Sequence, residues 1–330
     1  MGVKHPPYNL RTNKAIDRLL LANILMDLKI DDSKCRYYSF GGPFLEDLRV
    51  MDHFFPNMIL TSLEKDTETY KRQDFHRFNS RLQLKRMNFH EFLISYEPGI
   101  RDIFWLDYTN IKYEYFSDFM ALLVKVPIDS VVRITLRAEP EFRLDYLIDK
   151  ISNTEFHQIK SQLEADFINE FQKIMPVPPV SAFSNILDFS KMVQDMVKIA
   201  ASRALDISGS KTDFMPIQCT RYNDNTNMLS ITGIVYERSN ISNIKKILKN
   251  VRFLNNNWCD PIEINIPNLS LKERLYLEKM LPVEEEVDAG ELLFDTLKYC
   301  ITDGQSQSKK ELRNYADYYR DYPNFIRTMM

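Results

Sequence analysis

The sequence predicts an α/β fold with a mostly parallel sheet, and three observations predict it. Short β-favouring segments alternate with helical ones five times between residues 35 and 136. A chain that keeps re-entering a sheet in the same direction must cross back through a helix, so the strands lie parallel and both faces are covered. The first four segments are followed by a glycine pair, a glutamate, an asparagine and an aspartate, and such residues at strand ends suit a ligand-binding rim. A later pair of β-favouring segments flanks an Asn-rich turn and predicts a hairpin.

Each element follows from its local pattern. From Thr12 to Lys29, Ile16, Leu19, Leu20, Ile24, Leu25 and Leu28 recur at helical spacing, with Thr12 or Asn13 suited to the N-cap. Cys35 to Phe40 is short, aromatic and β-favouring, and Gly41-Gly42-Pro43 stops it. Phe44 to Phe54 reads as a helix with Leu45, Leu48 and Met51 on one side, ended by Pro56. Met58 to Leu63 is a strand running into Glu64-Lys65-Asp66, and Thr67 to Phe78 is a polar helix. Leu82 to Met87 is a short strand, followed by Asn88 and a helical turn from His90 to Tyr96. Asp102 to Leu106 is the most apolar strand and leads into Asp107-Tyr108-Thr109. A helix from Tyr113 to Val126 and a strand from Ser130 to Leu136 close the alternating stretch.

From Glu141 to Asp206 the sequence is helical and free of strand signals, split by Pro176-Val177-Pro178-Pro179. Phe214 to Tyr222 and Met228 to Glu237 form the hairpin arms around Asn223 to Asn227. Asn240 to Asn250 is a further helix. Ser270 to Leu281 is another, opened by a capping box in which Ser270 is the N-cap and Glu273 lies three residues on. Glu284, Glu285 and Glu286 sit in an acidic link from Val283 to Asp288, and Ser308 to Met330 is a tyrosine-rich helical tail. The expected organisation is an α/β core over 1–140, a helical insertion over 141–212 serving as cap or partner surface, a hairpin over 213–240 completing the sheet, and a helical C-terminal extension over 241–330.

Composition narrows the function. The 330 residues carry 43 Lys and Arg against 46 Asp and Glu, a formal net charge of -3. Broad sequence-independent nucleic-acid binding needs a basic excess and is not expected. No run approaches the roughly 18 apolar residues of a membrane span, and Met1 to Arg11 lacks the basic-then-apolar pattern of a signal peptide, so a cytoplasmic location is expected. Cys35, Cys219, Cys259 and Cys300 show no paired spacing. His5, His53, His76, His90 and His157 show none of the ligand spacings of metal sites. Buried free thiols, surface or helix-packing histidines and no metal are therefore expected.

The candidate site residues stand at the strand ends. Only 8 glycines occur in the chain, and Gly41-Gly42 is the sole adjacent pair. A strand-to-helix turn there serves either a simple reversal or a ligand loop whose backbone a ligand approaches closely. Glu64 is either a solvated charge at a helix start or an acceptor for ribose hydroxyls. Asp107 is either a turn residue or, after the most buried strand, a group at the mouth of the crevice. The tail tyrosines Tyr315, Tyr318, Tyr319 and Tyr322, with Phe325, favour packing on the body or on a partner subunit over base stacking.

The order strand–glycine loop, strand–acid, strand–polar residue, strand–Asp, strand and late hairpin resembles class I S-adenosylmethionine-dependent methyltransferases over about residues 35–140 and 214–237. It is also similar to poorly described O-methyltransferases of bacteria. The resemblance implies a Rossmann-like, mostly parallel seven-stranded sheet whose last strand is antiparallel, and S-adenosylmethionine as cofactor. Carried onto this sequence, the cofactor loop is Phe40-Gly41-Gly42-Pro43. Ser39 and two adjacent glycines stand where the family has an acid and three spaced glycines. Glu64, with Lys65 beside it, corresponds to the ribose acid. Asn88 corresponds to the position that meets the adenine amino group, and Phe89 could stack on the base. Asp107 and Tyr108 correspond to the cofactor's amino end and the substrate, with Asp107 as candidate base and Tyr108 orienting substrate or lining the sulfonium. The expected function is methyl transfer to an oxygen or nitrogen nucleophile of an unidentified acceptor. The alternatives are a catalytically degenerate interaction module in a bacterial multiprotein system, through the insertion or tail, or a nicotinamide-dependent oxidoreductase. The absence of a GxGxxG pattern weakens the last.

Overall fold

The computed structural model describes residues 11–140, 153–178, 181–207, 209 and 211–323. They divide into two compact units. The larger comprises 22–221 and 226–261, and the smaller 11–21, 222–225 and 262–323. The elements, in chain order, begin with α1 (Thr12–Asp27), β1 (Cys35–Ser39), α2 (Glu46–Phe54), β2 (Ile59–Leu63), α3 (Thr67–Phe75), β3 (Gln83–Lys85), α4 (Phe89–Ser95), β4 (Arg101–Asp107), α5 (Tyr113–Lys125) and β5 (Val131–Arg137). The insertion contributes α6 (Asn153–Glu170) and α7 (Ile186–Ile207), two helical pieces on either side of the proline-rich stretch. The hairpin is β6 (Thr212–Asn223) and β7 (Asn227–Glu237), followed by α8 (Ile241–Leu248).

Seven strands of the larger unit run in the order β3-β2-β1-β4-β5-β7-β6. Strands β1 to β5 pair in parallel and β7 is antiparallel to β5, with Ile134 opposite Ile231. This is the expected mostly parallel Rossmann-like sheet with its late hairpin. The order reverses between β1 and β4: the chain winds outward from β1 to β3 on one side, then returns to β4 on the other. In sheets of this kind the divergence of the two connections places the ligand crevice beyond the carboxyl ends of the two strands, here β1 and β4.

One sheet face carries the main core. Tyr38, Phe104, Leu106, Ile134, Leu136, Leu229 and Ile231 meet α4, α5 and α7. Helix α5 fits because Phe116, Phe119 and Leu123 fall three and four apart on one stripe, and α7 because Met192, Val193, Met196, Val197 and Ala200 do the same. The opposite face holds a second cluster of Ile24, Met215, Ile217, Ile234, Ile244 and Leu248. Polar groups buried beside it are matched to one another: Trp105 Nε1 donates to Thr135 Oγ1 at 2.9 Å, which lies 2.8 Å from Ser230 Oγ. Such pairing offsets the cost of taking hydroxyls out of water.

At the amino end of β1 and β4, away from the crevice, Asp102 is fully buried and forms a bidentate pair with Arg36, at 2.7 Å to Nε and 2.8 Å to Nη2. Tyr96 Oη and Gly99 N also donate to it.

The smaller unit holds the short strand β8 (Ile262–Ile264), α9 (Leu271–Leu277), α10 (Ala289–Leu297) and α11 (Gln305–Tyr318). The Ser270–Glu273 capping box is formed. The segment read as an acidic link ends in Asp288, whose side chain accepts from Gly290 N and Glu291 N and caps α10. Tyr315, Tyr318 and Tyr322 are buried, so the described tail packs inward, while Phe325 and the last residues to 330 lie outside the described residues. The cysteines divide: Cys35 and Cys219 are buried as expected, but Cys259 and Cys300 are exposed, because both fall in irregular stretches outside the helices and strands. No helix among the described residues is long and apolar enough to cross a membrane, and no group of three or more metal-ligating side chains occurs among them.

Candidate active site

Parallel pairing brings the carboxyl ends of β1 to β4 to one edge. Ser39 stands opposite both Ser62 and Trp105, and Leu63 opposite Lys85. The residues that follow, Phe40 to Pro43, Glu64, Asn88 and Asp107-Tyr108, therefore belong to a single rim. Ring contacts join three of these turns: Phe40 lies 6.1 Å from Phe89 and 5.2 Å from Tyr108, centroid to centroid.

The glycine loop has the left-handed backbone expected of it. Gly41 has φ +67° and Gly42 φ +53°, and Gly42 N donates to Phe40 O at 2.8 Å. The reason glycine is needed at 41 is internal. A Cβ there would lie 2.6 Å from Ser62 Oγ and 2.9 Å from side-chain carbons of Leu45 and Leu48. The turn is packed against its own core on that side. Pro43 is buried behind it.

Glu64 continues β2, its N–H donating to Lys85 O at 3.0 Å, and its Oε1 accepts from Asp66 N at 2.7 Å. The side chain is half-buried, and loss of solvent raises its pKa against the lowering effect of that amide. A half-buried carboxylate with one oxygen engaged keeps capacity for hydroxyl donors. Lys65 is exposed.

Asn88 is the N-cap of α4. Its Oδ1 accepts from Glu91 N at 2.8 Å, and Glu91 Oε2 accepts from Asn88 N at 3.0 Å. This capping box occupies the oxygen assigned above to the adenine amino group, although an amide oxygen has a second lone pair. Phe89 is 5 % exposed and packs against Phe40, Phe92 and Phe104, so its ring forms a wall of the core beneath the rim.

Asp107 is the last residue of β4, half-buried, in register with Thr135. Tyr108 N donates to Thr135 O at 3.0 Å, which fixes the backbone just past the strand. The Tyr108 ring stacks on Tyr115 of α5 at 3.9 Å and 9°. Tyr108 is 8 % exposed, and its hydroxyl has no hydrogen-bond partner among the described residues. Burial pushes the phenol well above its ordinary pKa, with the Asp118 carboxylate adding to the effect. Burial thus favours the neutral phenol.

Four residues at or behind this rim escaped the sequence reading. Gln73 and Ser62 are buried behind the glycine loop. Tyr115 covers Tyr108, and Asp118 binds His90 Nδ1 at 3.1 Å, bridging α5 to α4. Gln73 had one faint signal: with Tyr70 it marks an uncharged face on an otherwise polar helix.

Among solved structures the chain is similar to PH0793 from Pyrococcus horikoshii (11% identity, 72% of this chain and 66% of that one, TM-score 0.36). It is similar to TYW2 of P. horikoshii in complex with MeSAdo (11% identity, 71% and 65%, TM-score 0.36) and to an O-methyltransferase family protein from Burkholderia thailandensis (12% identity, 68% and 59%, TM-score 0.32). The match thus spans 59% to 66% of the length of these three proteins, less than two thirds of each. No curated protein matches the sequence. Residues 6–330 match the model of the family described as "Putative O-methyltransferase", and the chain belongs to that family.

Proposed function

We propose that the chain transfers a methyl group from S-adenosylmethionine to an oxygen or nitrogen nucleophile, with the crevice between β1 and β4 as the active site. Family membership supports the reaction class. The observation that supports the location is the Tyr108 hydroxyl, buried without a hydrogen-bond partner among the described residues and beside Phe40 at the strand-order reversal. An unmet buried hydroxyl costs about 1–3 kcal/mol, and a ligand acceptor in the crevice would recover that.

The residues present fit the cofactor. Glu64 has the length and spare acceptor capacity for ribose hydroxyls, the Phe40–Pro43 turn offers backbone to the amino-acid end, and the Phe40, Tyr108 and Tyr115 rings suit a sulfonium. When bound, the cofactor supplies an electrophilic methyl group. The protein's part is to align the acceptor in line with it and exclude water. Asp107, at the strand end beside Tyr108, is assigned to receive the acceptor's proton where one must leave.

Calorimetric titration with S-adenosylmethionine, S-adenosylhomocysteine and NAD tests the reading. Micromolar binding of the first two and none of the third supports it. Silence toward the first two overturns it in favour of the interaction module, and binding of NAD alone favours the oxidoreductase.

Two substitutions sharpen the test. Tyr108→Phe removes the orphaned hydroxyl, so the ligand-free protein should be as stable as the parent or up to about 1 kcal/mol more stable. Ligand affinity or turnover should fall about fivefold to tenfold. Equal affinity and turnover would remove the argument for this crevice. The second concerns pH. Partial burial raises the Glu64 carboxyl above its usual pKa, against the lowering effect of the Asp66 amide. Ribose hydroxyls bond best to the ionised form, so affinity is full above that raised pKa and declines as pH falls through it. In Glu64→Gln the affinity should be lower and flat over the same range. An acid decline of the same size in Glu64→Gln would show that another group is responsible.

A further inference from the structure

The glycine loop is held by a buried side chain from the neighbouring helix α3. Gln73 of α3 is fully buried. Its Nε2 donates to Phe40 O at 2.9 Å and to Gly42 O at 2.9 Å, so both N–H groups are used on the loop. Its Oε1 lies 3.0 Å from Ser62 Oγ, which is itself 3.2 Å from Phe40 O. Ser62 is also the first atom that a Cβ at Gly41 would strike. Three features of the sequence, the bare Cα of Gly41, Ser62 on β2 and Gln73 on α3, therefore interlock on one side of a four-residue turn. Arg72 lies over the Phe44 ring at 4.9 Å, so α3 grips the far end of the turn as well.

The direction of that grip has a consequence. In a trans peptide the carbonyl and the N–H point oppositely. Drawing the Phe40 carbonyl toward Gln73 turns the N–H of Gly41 away from it. The Gly42 carbonyl is drawn the same way, and its peptide has no N–H because Pro43 follows. Of the two peptides that Gln73 holds, only one can donate, and Gln73 fixes where that donor points. A loop with two adjacent glycines and no third is free to rotate these peptides unless something outside the turn prevents it.

We propose that Gln73 is the positioning residue of the cofactor loop: by holding the Phe40 and Gly42 carbonyls it aims the Gly41 N–H at the carboxylate of the cofactor's amino-acid end. The assignment rests on the methyl-transfer reading for the identity of the ligand and on the hydrogen-bond geometry for the role of Gln73. It predicts a selective defect. Losing the Gln73 donors should harm ligands that carry the amino-acid end and spare those that lack it.

The test is calorimetry on the full chain with two probes, S-adenosylhomocysteine and 5′-methylthioadenosine, which keeps the nucleoside and lacks the carboxylate. Gln73→Met keeps the volume and removes both donors. It should raise the Kd of S-adenosylhomocysteine at least tenfold while that of 5′-methylthioadenosine stays within threefold. Gln73→Glu keeps the length and, protonated in its buried site, one donor, and should fall between Gln73→Met and the parent; it also serves if Gln73→Met folds poorly. Equal losses for both probes would show a merely structural residue, and an unchanged Kd for S-adenosylhomocysteine would show no role at all. Either result overturns the assignment. Hydrogen exchange of the ligand-free protein separates this proposal from the reading it rests on. Faster exchange over 40–48 in Gln73→Met, with 131–137 unchanged, upholds the hold on the loop even if the parent protein is silent toward both probes, an outcome that sinks the methyl-transfer reading. Unchanged exchange over 40–48 overturns the hold itself.

Discussion

Asp102→Ala is expected to cost about 3–5 kcal/mol of folding free energy, the range for removing one partner of a buried ion pair. The carboxylate is completely buried and serves Arg36 Nε and Nη2, Tyr96 Oη and Gly99 N at once. Deleting it leaves a guanidinium, a phenol and an amide facing a gap. Gly99 shows how closely the site is built: a Cβ there would lie 2.6 Å from Arg36 Nε. Chemical denaturation followed by far-ultraviolet circular dichroism measures the loss. The double replacement Arg36→Met with Asp102→Leu removes both charges and should recover part of it, but not all, because Tyr96 and Gly99 still lose their acceptor. A loss below about 1 kcal/mol for Asp102→Ala would mean that water or another donor set takes over readily. This cluster ties β1 to β4 at the end away from the crevice. Cofactor binding by the variant, measured well below its unfolding temperature, should therefore remain close to that of the parent.

The contrast between the two ends of the sheet explains what the sequence disclosed. The rim was legible because it falls at strand ends, where an apolar run stops at a glycine pair, Glu64, Asn88 or Asp107. Parallel pairing follows from the alternation, since each return in the same direction needs a crossover, but the order of the strands does not. Asn88 was legible in two ways. Asn88 and Glu91 already spell a capping box, which the structure forms. The ligand reading passed over it because a resemblance assigns one role per position. Gln73, Ser62 and Tyr115 were not legible. Their importance comes from contacts between elements distant in sequence, Gln73 with Phe40 across 33 residues among them, and no local period records such pairs. Helix α10 was missed for a simpler reason. Asp288 closes an acidic run and was read with it, so its role as an N-cap was hidden by its neighbours. The exposed Cys259 and Cys300 show the limit of composition: residue type favours burial, but an irregular stretch outside the packed elements does not supply it.

Asp107→Ala is expected to lower turnover by about 10²- to 10⁴-fold, the span attributed to a positioned acid–base group, while changing cofactor affinity much less. Asp107 ends the strand at the order reversal, and Tyr108 beside it is held protonated by burial, which leaves the phenol able to orient an acceptor but not to take its proton. Asp118 also lies near Tyr108, but it is engaged by His90 between α4 and α5. Asp107→Asn keeps the shape and removes the basic oxygen. If proton removal is the role, Asn should be nearly as inactive as Ala, and activity on an acceptor that is already ionised should suffer far less in both variants. If Asp107 only positions the cofactor, both substitutions should instead raise the Kd for S-adenosylmethionine, with turnover at saturating cofactor largely preserved. Single-turnover methylation with radiolabelled cofactor, read beside calorimetry on the same variants, separates these patterns, because one changes the rate at saturation and the other the concentration needed to reach it.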